Sequence, residues 1–159
     1  SSDLLLLDFN RHVTGFCANL KLFFQLSGVD MILPCLTFAE TSAMGRGVFT
    51  SEDIPADTVV EISPVIVMGG DERRMLDQTL LHDYIFEWGT DRTQCAMALG
   101  YVPLYNHASP SNCEYEMDYE DAVISIRTTR DIRAGEELFI NYNGDFDDAA
   151  PVWFTLADG

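Results

Sequence analysis

The chain has 159 residues, 47% of them apolar and 22% charged, which is enough length and the right balance for one globular domain with its own core. Its charge is lopsided: 26 acidic residues stand against 9 basic ones, a formal net charge of −17, and Lys21 is the sole lysine. A field of that sign argues against nucleic-acid phosphates and anionic membranes as partners and favours basic proteins or peptides, although selection for solubility alone would leave the same imprint.

No apolar run reaches the roughly 18 residues of a membrane span. Leu4 to Leu7 meets Asp8 with no basic region before it, a poor signal peptide. Cys17, Cys35, Cys95 and Cys113 are scattered, without a CxxC pair or a Cys/His cluster, so neither a structural zinc nor a disulfide framework is expected and the thiols suit a reducing, intracellular setting.

Residues 1–30 stand apart, with a net charge of −1 and apolar residues Phe9, Val13, Phe16, Leu20 and Phe24 at helical spacing, interrupted by Gly15. Two readings stay open. The segment is an amphipathic helix docking on the domain or on a second copy, or it is foreign to a domain that begins at Met31. From there short strands and tight turns are expected. Residues 32–39 read as a strand, 41–47 as a glycine-bearing loop and 48–50 as a second strand. A turn at 53–57 feeds the β-branched run 58–68, and 71–81 is the one expected helix. Residues 84–88 and 94–99 flank a hairpin turn at 89–93, and 101–112 is a loop rich in Pro, Asn, His and Ser. Strands resume at 113–118, 123–129 and 137–142, with turns at 119–121 and 133–135. Asp53-Ile-Pro-Ala-Asp57 and Asp131-Ile-Arg-Ala-Gly135 share one frame, read as a common turn solution rather than a duplication. The acidic tail 143–159 reads as irregular, yet it carries Phe146, Trp153 and Phe154, more aromatic surface than a loose end usually keeps.

Phosphate-cradling loops, a G-x-S-x-G elbow and an H-E-x-x-H pair are all missing, and His12, His82 and His107 have no spacing that pairs them as ligands. Three segments stand out instead. Gly45-Arg46-Gly47 lies between two strands and permits close backbone approach. Leu104-Tyr105-Asn106-His107 through Asn112 sets polar residues between apolar strands. Glu137-Leu138 through Tyr142 is a strand ending on a tyrosine.

In this order and at these separations the three resemble the SET domain family over residues 33–142. The first is similar to its G-x-G loop, the second to its N-H-S-x-x-P-N motif and the third to its E-L-x-F/I-x-Y motif. Asp83-Tyr84-Ile85-Phe86 with residues 96–100 resembles the compact members of viruses, bacteria and fungi. Ala108 replaces the usual serine, the proline falls at Pro110, Asn143 follows the tyrosine where glycine is usual, and no cysteine follows Cys113 to build a zinc-binding post-SET module.

The resemblance implies a mainly β fold of several small twisted sheets, β-clip-like, with a C-terminal pseudoknot and one or two short helices. The SET domain would span 31–142, with 143–159 closing the site. It implies methyl transfer from S-adenosylmethionine to a lysine on a basic, histone-like protein, or else an inactive module of the same fold that holds a peptide or cofactor. Cofactor contacts would come from Gly45, Arg46, Gly47, Asn106, His107, Tyr142, Phe146 and Trp153. Tyr142 would orient the amine, with Tyr84 and either Tyr105 or Tyr115 walling a lysine channel; Tyr115 and Ile140 would set how many methyls fit. Glu114, Glu116, Asp118, Glu120 and Asp121 alternate along a strand and its turn, so several share one face, read either as a groove for a basic peptide or as a solvated face. Self-pairing is left open by the resemblance, and the location would be nuclear in a eukaryote or cytoplasmic in a bacterium.

Overall fold

The computed structural model describes residues 31–152. The apolar stripe of residues 1–30 and the aromatic residues Trp153 and Phe154 lie outside the described residues. The elements in chain order are β1 (Met31–Ile32), β2 (Leu36–Glu40), β3 (Arg46–Thr50), β4 (Val59–Met68), α1 (Gly70–Leu76), a 3-10 turn (Leu80–Tyr84), β5 (Phe86–Trp88), β6 (Gln94–Ala98), a second 3-10 turn (Val102–Leu104), β7 (Asn106–His107), β8 (Cys113–Asp118), β9 (Val123–Thr128) and β10 (Glu137–Ile140).

The strands form two sheets. The larger runs β5-β6-β4-β9-β8, with β1 also on β4; the smaller runs β2-β3-β10-β7. The ten-residue β4 serves both halves of the larger sheet: Val59 to Pro64 pair with β9, and Val65 to Met68 pair with β6. Pro64, which has no N–H to give a ladder, sits where the partner changes. β9 alternates cleanly, burying Ile124, Ile126 and Thr128. Ile124 and Ile126, with Val48, Val60, Ile132, Leu138 and Ile140, fill one core shared by the two sheets.

Two expected elements are shorter than the sequence pattern suggests. The run 32–39 divides at Pro34, where Leu36 N donates to the Leu33 carbonyl at 3.0 Å and closes a turn. The helix expected over 71–81 stops at Leu76. Thr79 accounts for this: its hydroxyl donates to Leu76 O at 2.8 Å and accepts from Leu81 N at 3.2 Å, opening the 3-10 turn. The Arg73 guanidinium then ties α1 to the β5–β6 hairpin through Glu87 at 2.8 Å and the Arg92 carbonyl at 2.5 Å.

The repeated D-I-x-A frame turns out to be one structure made twice and joined to itself. Ile54 and Ile132 exchange backbone hydrogen bonds, each 2.8 Å long. Asp131 Oδ1 accepts from Ala56 N and Asp53 Oδ1 from Ala134 N, again both at 2.8 Å. The fifth residue of each frame is left-handed, Asp57 at φ 56 and Gly135 at φ 85.

Candidate active site

The motifs that lie far apart in sequence converge where the smaller sheet ends. β10 runs antiparallel to β3, with Glu137 opposite Phe49, and parallel to β7, with Phe139 opposite Asn106 and Ile140 opposite His107. Asn112 fastens this arrangement from the side: its Nδ2 donates to Glu137 O at 2.8 Å and its Oδ1 accepts from Phe139 N at 2.7 Å, so a carboxamide stands in for a neighbouring strand. Asn106 Nδ2 donates to the Glu137 carboxylate at 2.7 Å. Gly47 packs onto that pair so closely that a Cβ would overlap Glu137 Oε1 and come within 2.9 Å of Asn106 Nδ2. Gly45 is needed for another reason, its left-handed φ of 70 in the loop before β3.

Tyr142 follows β10 and joins this junction to a cleft. Its N–H donates to His107 Nδ1 at 3.2 Å, which requires a neutral imidazole carrying its proton on Nε2. Burial lowers the His107 pKa and so favours that form. The Tyr142 hydroxyl donates to the Tyr105 carbonyl at 2.9 Å. Burial, reinforced by the neighbouring Tyr84 and Asp83, pushes the Tyr142 phenol up to about 12, so it stays protonated at neutral pH.

The cleft has a volume of about 450 Å³ and is lined by Asp83, Tyr84, Tyr105, Tyr115, Glu116, Met117 and Tyr119 together with Tyr142, Asn143 and Gly144. Phe86 and Tyr115 meet edge to face at 5.6 Å, and Trp88 and Tyr119 at 4.9 Å, which holds this aromatic wall in place. The tail passes alongside. Ser111 N donates to Phe146 O at 2.8 Å, while Asn141 Nδ2 and Ser109 Oγ both donate to Asp148 O at 2.7 Å.

A protein-family model for the SET domain matches residues 45–143, from the first glycine of the loop to the residue after Tyr142. The chain belongs to the SET domain family. A fission-yeast (Schizosaccharomyces pombe) relative named as a histone-lysine N-methyltransferase specific for H3 lysine-37 is 36% identical over 127 residues, covering 79% of this chain and 81% of the relative. Among solved structures, a Plasmodium falciparum protein described as a candidate histone methyltransferase is 26% identical with a TM-score of 0.54, covering 70% of this chain and 95% of that one. The S-adenosylmethionine-bound, autoinhibited ctPRC2 complex has a TM-score of 0.60 at 22% identity, covering 73% of this chain and 16% of that one, a likeness of fold. Family and fission-yeast relative together make this SET domain chain a protein-lysine methyltransferase of the S-adenosylmethionine-dependent class.

Of the residues singled out in the sequence, the SET domain brings Gly47, Asn106, His107 and Tyr142 to one junction, and sets Tyr84 and Tyr115 in the cleft wall, while Arg46 is exposed opposite Glu40. Tyr105 also borders the cleft, but its side chain is 1% exposed and its phenol neighbours Glu61 in the core, so the group it turns toward Tyr142 is its carbonyl. Ile140 is a correction: it is wholly buried in the core and does not line the cleft, because alternation along β10 turns Leu138 and Ile140 inward. Phe146 is 40% exposed on the docked tail, and Trp153 lies outside the described residues.

Two carboxylates went unremarked as individual residues. Glu137 was visible only as a motif letter. Glu61 had a signal, an acid between Val60 and Ile62 in a β-branched run, and it is wholly buried.

Proposed function

We propose that this protein transfers a methyl group to a lysine of a basic, histone-like protein, with the lysine entering the tyrosine-walled cleft and the cofactor held on the other side of Tyr142 by the Gly45–Gly47 loop, Asn106 and His107. The observation that carries this reading is the position of Tyr142, which touches both sides: its backbone is on His107 and its hydroxyl lies at the cleft, 2.9 Å from the Tyr105 carbonyl. The cofactor side suits S-adenosylmethionine. Gly47 has no side chain because Glu137 and Asn106 fill that place, while Gly45 is exposed with nothing within 4 Å of where a Cβ would stand, which leaves the start of the loop open to close approach. An aromatic of the tail, Phe146 or Trp153, would cover the adenine face. When bound, S-adenosylmethionine supplies a sulfonium methyl open to in-line displacement by an amine.

The work left to the chain is positioning and desolvation. A lysine ammonium has an ordinary pKa near 10.4 and must lose its proton before its lone pair can react. A cleft walled by Tyr84, Tyr115 and Met117 disfavours the charged form. Tyr142, protonated to about 12, cannot serve as the base; its role is to orient the amine with a hydroxyl already aimed by the Tyr105 carbonyl. Well-aligned reactants can gain about 7–11 kcal/mol from orientation, so small errors at Tyr142 are costly. With a histone tail as substrate, the protein would act in the nucleus.

The test is transfer of labelled methyl from S-adenosylmethionine to core histones and a lysine-rich peptide pool, beside Tyr142→Phe. Wild-type transfer that falls by about 100-fold or more in the variant is expected, since the phenylalanine keeps the ring and loses the hydroxyl. Equal transfer by both proteins would remove Tyr142 from the centre of the reaction.

A further inference from the structure

The contact between Asn106 and Glu137 has a direction. A carboxylate has only acceptors, so the end of the Asn106 carboxamide facing Glu137 Oε1 across 2.7 Å must be Nδ2. That assignment turns Oδ1 the other way, where it accepts no hydrogen bond from any described residue. Neither partner is free to swivel. The backbone of Glu137 is held by Asn112 and by its pairing with Phe49. Its carboxylate is pressed by Gly47, where a Cβ would overlap it, and Asn106 is 8% exposed.

We propose that Glu137 is a positioning residue for the cofactor: by taking the Nδ2 end of Asn106, it presents Oδ1 as an acceptor for the ammonium of the cofactor's amino-acid end. This rests on the reading of Asn106 as a cofactor contact. An ammonium offers donors only, and a carboxamide turned the other way would meet it with N–H against N–H. Gly47 belongs to the same device, because any side chain there would push the carboxylate off Asn106.

The test is calorimetric binding of S-adenosylhomocysteine and of its deaminated analogue, which keeps the nucleoside and carboxylate but has no ammonium. The wild-type chain should prefer the amine-bearing ligand by about tenfold or more, the scale of a hydrogen bond to a charged group. Glu137→Ala should shrink that preference to about threefold or less by weakening the amine-bearing ligand alone, with the analogue's affinity unchanged. Glu137→Gln, which keeps an oxygen able to accept from Asn106 Nδ2, should retain most of the preference. Full preference retained in a folded Glu137→Ala protein, or both ligands weakened equally, would overturn the inference while leaving the cofactor site standing. A wild-type chain that binds neither ligand would remove the cofactor reading, and this inference with it.

Discussion

Glu61 shows how a single residue can be both a liability and a fastening. Its Oε1 accepts from Ser63 Oγ at 2.7 Å, Tyr101 N at 2.6 Å and Val102 N at 3.1 Å, which pins the 3-10 turn that leads into Tyr105, Asn106 and His107. Gly100 has to be glycine because a Cβ would overlap both Ser63 Oγ and this carboxylate. Burial raises the Glu61 pKa above 4.5, more than its hydrogen bonds lower it. The sign of the consequence is fixed by that direction. Below pH 4.5 both folded and unfolded states carry the proton; as pH rises, the unfolded state releases it first, so stability from this group is lost progressively through the higher folded pKa. Glu61→Gln keeps an acceptor at Oε1 without the charge. Thermal melts across a pH series should show the variant gaining on the wild type as pH climbs from about 4.5. A constant difference at all pH values would mean that Glu61 does not titrate with folding. Glu61→Ala strands two backbone donors and should cost about 3 kcal/mol or more near pH 4.5, a cost that shrinks as pH rises and the wild type weakens.

At the scale of elements, the paired D-I-x-A turns are what close the molecule between β3 and β4 on one side and β9 and β10 on the other. Since Asp53 and Asp131 make the same bond at 2.8 Å to each other's turn, Asp53→Ala and Asp131→Ala should lower unfolding free energy by similar amounts, about 1 kcal/mol each. Chemical denaturation would check this, and one costly variant beside one neutral one would refute the equivalence. The shared frame was readable in the sequence because five consecutive residues specify a turn locally. That the two turns bind each other was not, since nothing in either copy names its partner. The same division runs through the rest of the fold. β9, the β5–β6 hairpin and the three motifs were legible, because alternation and turn chemistry are local signals. Pro34 announces the split in 32–39 locally, while the apolar residues on both sides of it read as one run. The stop at Leu76 depends on one Thr79 hydroxyl, and the inward face of Ile140 depends on which side of β10 the core lies. The convergence of Gly47, Asn106 and Tyr142 became visible only through motif order; no single segment carries it.

For the molecule as a whole, the net charge of −17 has a place where it can act. β8 is the last strand of the larger sheet, and Glu116 and Asp118 are exposed along it while Tyr115 turns toward the cleft. An edge strand offers backbone groups to an extended peptide, and acidic side chains beside it favour a basic one. Asp83 and Glu116 line the same cleft, and Glu87 there is taken up by Arg73 at 2.8 Å and Arg92 at 3.7 Å, so a lysine side chain would meet net negative charge on its way in. The field of these exposed groups is screened over a Debye length that shrinks from about 10 Å at 0.1 M salt to about 3 Å at 1 M. The KM for a lysine-rich peptide should therefore rise by about tenfold across that range, with kcat changing far less. Glu116→Gln combined with Asp118→Asn should raise KM at low salt and flatten the salt dependence, because the charges that salt would screen are already gone. A KM indifferent to salt in the wild-type chain would make the acidic face of β8 a solvated surface, and substrate choice would then rest on the cleft alone.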